Sequence, residues 1–184
     1  YVLNQHRGLS LVDLDGRRLV IEGFDYSKPP DYWMVEVSGI PFGMMSEMLQ
    51  GGGNPWKGMV FGMTNRAGWS GKSPEHLWDF LDSYHFVERE MTGYWDENSP
   101  IICNNPKVKA SIYEGPEDAV VAVASWSDKE EKVSLGIDWS KLEMDRSNHK
   151  ITIPAIKEFQ KGKQSVSLNS MVLPAKKGYL IVIR

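Results

Sequence analysis

Strand and helix signals alternate through residues 1–95, while residues 96–184 carry strand signals alone, and no other feature constrains the fold as much. In the first part, Leu9–Leu14 and residues 18–24 flank Asp15-Gly16, a pair that accepts the positive-φ turn of a β-hairpin. Residues 33–37, bounded by Pro29-Pro30 and Gly39, read as a buried strand. Pro41 suits the first turn of a helix reaching about Gln50, and Gly51-Gly52-Gly53 can end it in a left-handed conformation. Residues 56–63 read as a second buried strand. Ser73-Pro74-Glu75 opens a further helix, with Ser73 as the cap and Pro74 at the first helical position. Leu77, Trp78, Phe80, Leu81 and Tyr84 give that helix an apolar face. The order strand, helix, strand, helix is that of parallel βαβ units.

Beyond residue 95 the period changes. Val133, Leu135 and Ile137 alternate with polar or small neighbours, the pattern of a half-buried strand. Further strands are expected at residues 108–113, 119–126, 150–153, 165–168 and 179–183, with turns at 114–118 and 127–131. Short strands at this spacing indicate an antiparallel β-sandwich. Composition shifts at the same place: residues 1–95 hold five of the seven Trp and a net charge of −4, against +1 for residues 96–184. Residues 98–106, rich in Asn and Pro, are the expected boundary between a 1–95 domain and a 96–184 domain. Two βα units cannot close a barrel of eight, and a parallel sheet needs cover on both faces, so further barrel units are expected outside these residues.

Several function classes drop out. A net charge of −3 lacks the basic field of a nucleic-acid binder. The longest apolar runs, such as residues 119–124, fall far short of the ~20 residues of a bilayer-spanning helix, so no membrane insertion is expected. Cys103 is the single cysteine, which excludes an internal disulfide and a cysteine-built zinc site. His6, His76, His85 and His149 show no metal-ligand spacing and read as surface or helix-end residues. The Gly51-Gly52-Gly53 run joins a helix end to a strand start and lacks the phosphate-loop spacing, so it reads as a tight turn. Neither a cofactor nor a metal is expected. The start at Tyr1, with no leader pattern, fits a processed protein and a fragment equally.

Residues 32–69, YWMVEVSGIPFGMMSEMLQGGGNPWKGMVFGMTNRAGW, resemble the end of the catalytic barrel in bacterial glycoside-hydrolase-like proteins related to family 123. The segments PEHLWDF, MTGYWDE, VAVASWSDKEEKVSLGIDW, IPAIKEFQ and KKGYLIVI are similar to the β-sandwich that closes those proteins. The fold class expected is therefore α/β plus all-β: terminal βα units of an incomplete (β/α)8-type barrel, then an antiparallel β-sandwich. The resemblance implies a retaining hydrolase of 2-acetamido sugars, chiefly β-linked N-acetylgalactosamine. In that mechanism the substrate's acetamido oxygen attacks the anomeric carbon, one carboxylate orients the acetamide, and a neighbouring Glu serves as general acid and base. The resemblance sets that Asp-Glu pair on an earlier barrel strand, which has no counterpart in this chain. The partners implied are a carbohydrate substrate and the missing N-terminal part of the barrel. The chain alone is expected to be inactive, and the family context suggests a periplasmic or secreted protein.

Four residues are candidates for one wall of the sugar site. Glu36 lies near the C-terminal end of an expected barrel strand, the side where barrel chemistry sits, with Ser38 on the same face. It reads either as an acceptor for sugar hydroxyls or as a buried carboxylate held by an Arg or a backbone amide. Asn65, Arg66 and Trp69 fall in a mouth loop. Asn and Arg suit hydroxyls and acetamido carbonyls, and Trp suits the apolar face of a pyranose; the alternative is an Arg paired with a structural acid and a Trp capping the core. Asp96-Glu97 is the only adjacent pair in that order, but neighbours on a strand point to opposite faces, so it reads as a surface turn. Trp126 and Trp139 read as packing residues, with a sugar platform on the sandwich as the alternative. A non-catalytic carbohydrate-binding or structural sandwich module is the competing function.

Overall fold

The computed structural model describes residues 9–14, 18–23, 47–48, 54–62, 75–142, 144 and 149–184. It begins with strands β1 (Leu9–Leu14), β2 (Arg18–Gly23) and β3 (Glu47–Met48), followed by helices α1 (Pro55–Val60) and α2 (Glu75–Ser83). Then come β4 (Glu90–Thr92), β5 (Ile101–Cys103), β6 (Val108–Glu114), β7 (Ala119–Ser125), β8 (Glu131–Val133) and β9 (Leu135–Ile137). The series closes with β10 (Ile151–Thr152), β11 (Met171–Leu173) and β12 (Gly178–Ile183).

All seven residues of β7 are buried, and that requires cover on two sides. The strand lies at the centre of a five-stranded antiparallel sheet ordered β10-β12-β7-β6-β4. Its side chains alternate faces as the pleat demands. Ala119, Val121 and Val123 point inward with Val108, Ala110, Ile112, Ile181 and Ile183. Val120, Ala122 and Ala124 point outward with Tyr113, Leu180 and Val182. Because both faces are apolar, the alternation vanishes from the sequence and leaves a continuous run.

The inner face packs against two small antiparallel ladders, β5–β9 and β8–β11, through Ile101, Val133, Leu135, Met171 and Leu173. This is the sandwich the strand spacing anticipates. The single strand expected through Val133, Leu135 and Ile137 is divided, however. Val133 pairs with Met171 and Ile137 with Ile101. Between them the Ser134 N–H donates to Asn104 Oδ1 at 2.8 Å, and its carbonyl accepts from the Asn104 N–H at 3.2 Å. The alternation survives because Val133 and Leu135 keep to one face while the backbone changes partner. Residues 165–168, also expected as a strand, form no ladder. The Val166 N–H donates to the Ile151 carbonyl at 3.2 Å, and the Leu168 carbonyl accepts from the Leu135 N–H at 2.8 Å. The expected boundary at residues 98–106 contains β5, so this stretch is part of the sandwich.

Helices cover the outer face. Residues 56–63, expected as a strand, instead begin with α1. The Asn54 side chain caps the helix by accepting from the Lys57 N–H at 3.0 Å, and Pro55 takes the first turn, where its missing N–H leaves nothing unpaired. A short apolar run fits a buried helix and a buried strand equally, and here the Asn-Pro pair decides. Trp56, Met59, Val60 and Phe61 settle on the sheet beside Leu77 and Phe80 of α2, and Phe86 joins them. The α2 helix forms as expected from Glu75 onward; α2 and β4, placed before residue 96 by the sequence division, thus belong to the central sheet and its cover.

The sheet also holds α1 by hydrogen bonds. Tyr113 Oη donates to the Met59 carbonyl and Ser111 Oγ to the Val60 carbonyl, satisfying two groups that a helix C-terminus leaves unpaired. Burial pushes the Tyr113 phenol far up, so it remains a donor. Asn54 Nδ2 donates to the Lys176 carbonyl at 2.8 Å, and Trp56 Nε1 to Gln160 Oε1 at 3.4 Å.

The hairpin expected around Asp15-Gly16 is present, with β1 and β2 in register from Leu14↔Arg18 to Leu9↔Gly23. Residues 33–37 lie outside the described residues. Of the helix expected from Pro41 to about Gln50, only Glu47 and Met48 are among the described residues, and they form β3, which runs parallel to β2 as Glu22↔Glu47 and Gly23↔Met48; strand pairing overrides the local preference there. Among the described residues that two-residue ladder is the only parallel one, so the sheet content is overwhelmingly antiparallel.

Two substitutions probe this arrangement. Tyr113→Phe removes the hydroxyl donor from the Met59 carbonyl and leaves it only the longer bond from the Gly62 N–H, and is expected to lower stability by about 0.5–1.5 kcal/mol in urea unfolding. Gly178 sits opposite Ala124, where an added Cβ would meet the Val123 carbonyl oxygen at 1.8 Å. Gly178→Ala is therefore expected to destabilise by about 3 kcal/mol or more, read as a lower melting temperature.

Candidate functional site

The C-terminal end of α1 opens onto an aromatic cluster. Phe61 follows the helix directly and meets three rings: Tyr94 edge-on at 6.0 Å, Trp126 edge-on at 6.0 Å, and Trp95 with near-parallel planes at 6.1 Å. Lys57, buried within α1, sets its ammonium 5.0 Å from the Trp126 ring, and Lys109 stands 5.2 Å from the Tyr94 ring. Ser111 joins the layers, since its Oγ donates to the Val60 carbonyl and accepts from the Tyr94 N–H at 3.1 Å. Trp126 Nε1 is buried without a hydrogen-bond partner among the described residues. Rings flanked by cations at the lip of a hydrophobic layer can hold a ligand with one apolar face and polar edges.

A second concavity lies at the other end of the sheet. It encloses about 590 Å³ and is lined by Ser83, Tyr84, His85, Glu88, Glu117 and Arg184, among others. Its floor is a charge cluster. The buried Arg89 donates to the carbonyls of Tyr84 (2.5 Å), Asp118 (3.0 Å) and Tyr113 (3.3 Å) and pairs with Asp118 Oδ1. Arg184 Nε takes the other carboxylate oxygen at 3.1 Å. With both oxygens of Asp118 engaged by arginines, the cluster is a clamp between β7, β12 and the turn after α2. A neighbouring groove of about 570 Å³ carries Glu88, Glu90, Glu114 and Lys141; Glu90 and Glu114 face each other across the β4–β6 ladder. Sequence reasoning missed the Arg89–Asp118 pair. The two residues stand 29 positions apart, and neither lies in a motif that marks the other.

The candidates Glu36, Asn65, Arg66 and Trp69 all lie outside the described residues, as do the glycine run at 51–53 and His6. Asp96 and Glu97 are exposed in a turn, where Asp96 Oδ1 accepts from the Asn98 N–H at 2.8 Å. Trp126 is half-buried in the aromatic cluster, and Trp139 lies flat on His149 with ring centres 4.3 Å apart. Asp138 is held below its ordinary range, first by the Ser140 hydroxyl and then by the Ser140 amide, as it caps the short turn at Trp139–Lys141. Partial burial pushes the Cys103 thiol up. Among the described residues, no group of three His, Cys, Asp or Glu converges as a metal site, and no helix is long and apolar enough to cross a membrane.

Residues 73–184 match the family described as Glycoside hydrolase 123, C-terminal domain, and residues 15–68 match Glycoside hydrolase 123, TIM-barrel domain. The chain belongs to glycoside hydrolase family 123. No curated protein matches it. The outer layer of the sheet is built from both matches, α1 from the TIM-barrel match and α2 from the C-terminal-domain match.

Asp118→Asn removes the charge that compensates two arginines, one of them buried. Breaking such a pair is expected to lower stability by about 3 kcal/mol in denaturant unfolding.

Proposed function

We propose that this chain is the C-terminal part of a glycosidase acting on β-linked N-acetylgalactosaminides, and that it supplies one wall of the sugar site through Glu36, Asn65, Arg66 and Trp69. The observation that carries the reading is the anchoring of α1. Tyr113, Ser111 and Asn54 tie that helix to the C-terminal sheet, so the segment bearing Asn65 and Arg66 departs from a fixed point at Gly62.

The chemistry of the four residues agrees with their task. Arg66 and Asn65 offer donors to hydroxyl and acetamido oxygens, Trp69 offers a face to the C–H side of a pyranose, and Glu36 accepts from hydroxyls. The acid–base pair comes from the part of the barrel beyond these residues. Substrate assistance by the acetamide then departs from the usual scheme of two catalytic carboxylates.

In the protein carrying its complete barrel, Arg66→Ala and Trp69→Ala are each expected to lower kcat/KM on a chromogenic N-acetylgalactosaminide by about 10–100-fold. The 184-residue chain by itself is expected to release no chromophore. Hydrolysis by the chain alone, or full activity in both variants, would overturn the proposal.

A further inference from the structure

Trp95 is a large ring held rigidly in an exposed place. It keeps 43% of its surface open, the most exposed aromatic among the described residues. The indole lies over Gly93 so closely that a Cβ on that residue would come within 2.4 Å of its Cε2 and Cζ2 atoms and 2.6 Å of Cη2. Only glycine permits this approach. Tyr94 meets the indole edge-on at 5.1 Å, and Phe61 runs alongside it with planes 14° apart. The loop that follows is fixed by three bonds: Asp96 N–H to the Gly93 carbonyl, Ser99 N–H to the Asp96 carbonyl, and Asn98 N–H to Asp96 Oδ1. Asp96, Glu97 and Asn98, which follow Trp95 directly in the chain, have exposed side chains.

The residues that hold the indole are its own chain neighbours and the ring of Phe61, which follows α1, and together they leave much of its surface open. We infer that Trp95, with Asp96, Glu97 and Asn98, forms a sugar-stacking subsite that receives a pyranose of the substrate chain away from the bond that is cleaved. The indole takes the C–H face of the ring, and the carboxylates and amide take its hydroxyls. Through Phe61 the platform adjoins the start of the segment carrying Asn65 and Arg66, so its assignment to the substrate chain rests on the proposed wall. Binding energy from such a remote unit can be used at the reacting centre.

The test is titration of the 184-residue chain with a β-linked N-acetylgalactosamine oligosaccharide, followed by calorimetry and by the indole N–H resonances. The Trp95 resonance is expected to shift, Trp95→Ala to weaken binding by about tenfold or more, and Trp95→Phe to recover most of it, with unchanged circular dichroism. An unmoved Trp95 resonance overturns the subsite, whatever the variants do. So does an absence of binding up to about 10 mM sugar. If Arg66→Ala abolishes binding while Trp95→Ala is silent, the wall reading stands and the subsite falls. If the Trp95 resonance shifts and Arg66→Ala has no effect, the subsite stands and the wall falls.

Discussion

A sheet that is apolar on both faces cannot exist with cover on one. The structure depends on this constraint at β7, where Val121 and Val123 look into the sandwich while Val120 and Ala122 look out of it. The inner cover comes from β5, which precedes β7 in sequence, and from β8, β9 and β11, which follow it. The outer cover comes from α1 and α2, which precede the sheet. Apolar contact alone would let a six-residue helix slide over the sheet. Tyr113 and Ser111, both on the outer face of β6, fix its position by bonding its last carbonyls.

The same device recurs where the sheet meets irregular chain. Gln160 behaves as a piece of strand: its Oε1 accepts from the Leu180 N–H at 2.9 Å, and its Nε2 donates to the Leu180 carbonyl at 3.0 Å and to the Pro154 carbonyl at 2.8 Å. Arg89 does comparable work at the far end of the sheet with three carbonyls and a carboxylate. Side chains thus complete the backbone pairing where strands stop, and they leave few buried polar groups exposed to an apolar layer.

How much of this was legible in the sequence follows from the range over which each signal acts. The β1–β2 hairpin, the helix α2 and the strands β6, β7 and β12 rest on local patterns and were readable, while the Ser73 cap and Pro74 expected at the start of α2 lie outside the described residues. A helix was misread as a strand at residues 56–63 because a short apolar run has no period of its own. Three-residue strands such as β4, β5 and β11 are too short to show one. The split of Val133 from Ile137 depends on Asn104, some thirty residues away, and the Arg89–Asp118 clamp likewise depends on the fold. The family resemblance was legible from the motif segments, and the matches to both domains of family 123 agree with it. The exposed turn at Asp96-Glu97 was readable from adjacency alone. The platform beside it was not, because an indole lying on Gly93 is a contact that the Gly-Tyr-Trp order does not announce.

The sharing of the outer layer bears on how such proteins can be cut and joined. In sequence the two family matches are separate blocks with a short gap between residues 68 and 73. In space α1 from one block and α2 from the other are two parts of a single apolar layer. A recombination event in that gap would divide a hydrophobic core, leaving one product with a bare sheet face and the other with an unsupported helix. In space the seam between the two blocks therefore runs through the α1–β6 contact, where no gap in the sequence marks it.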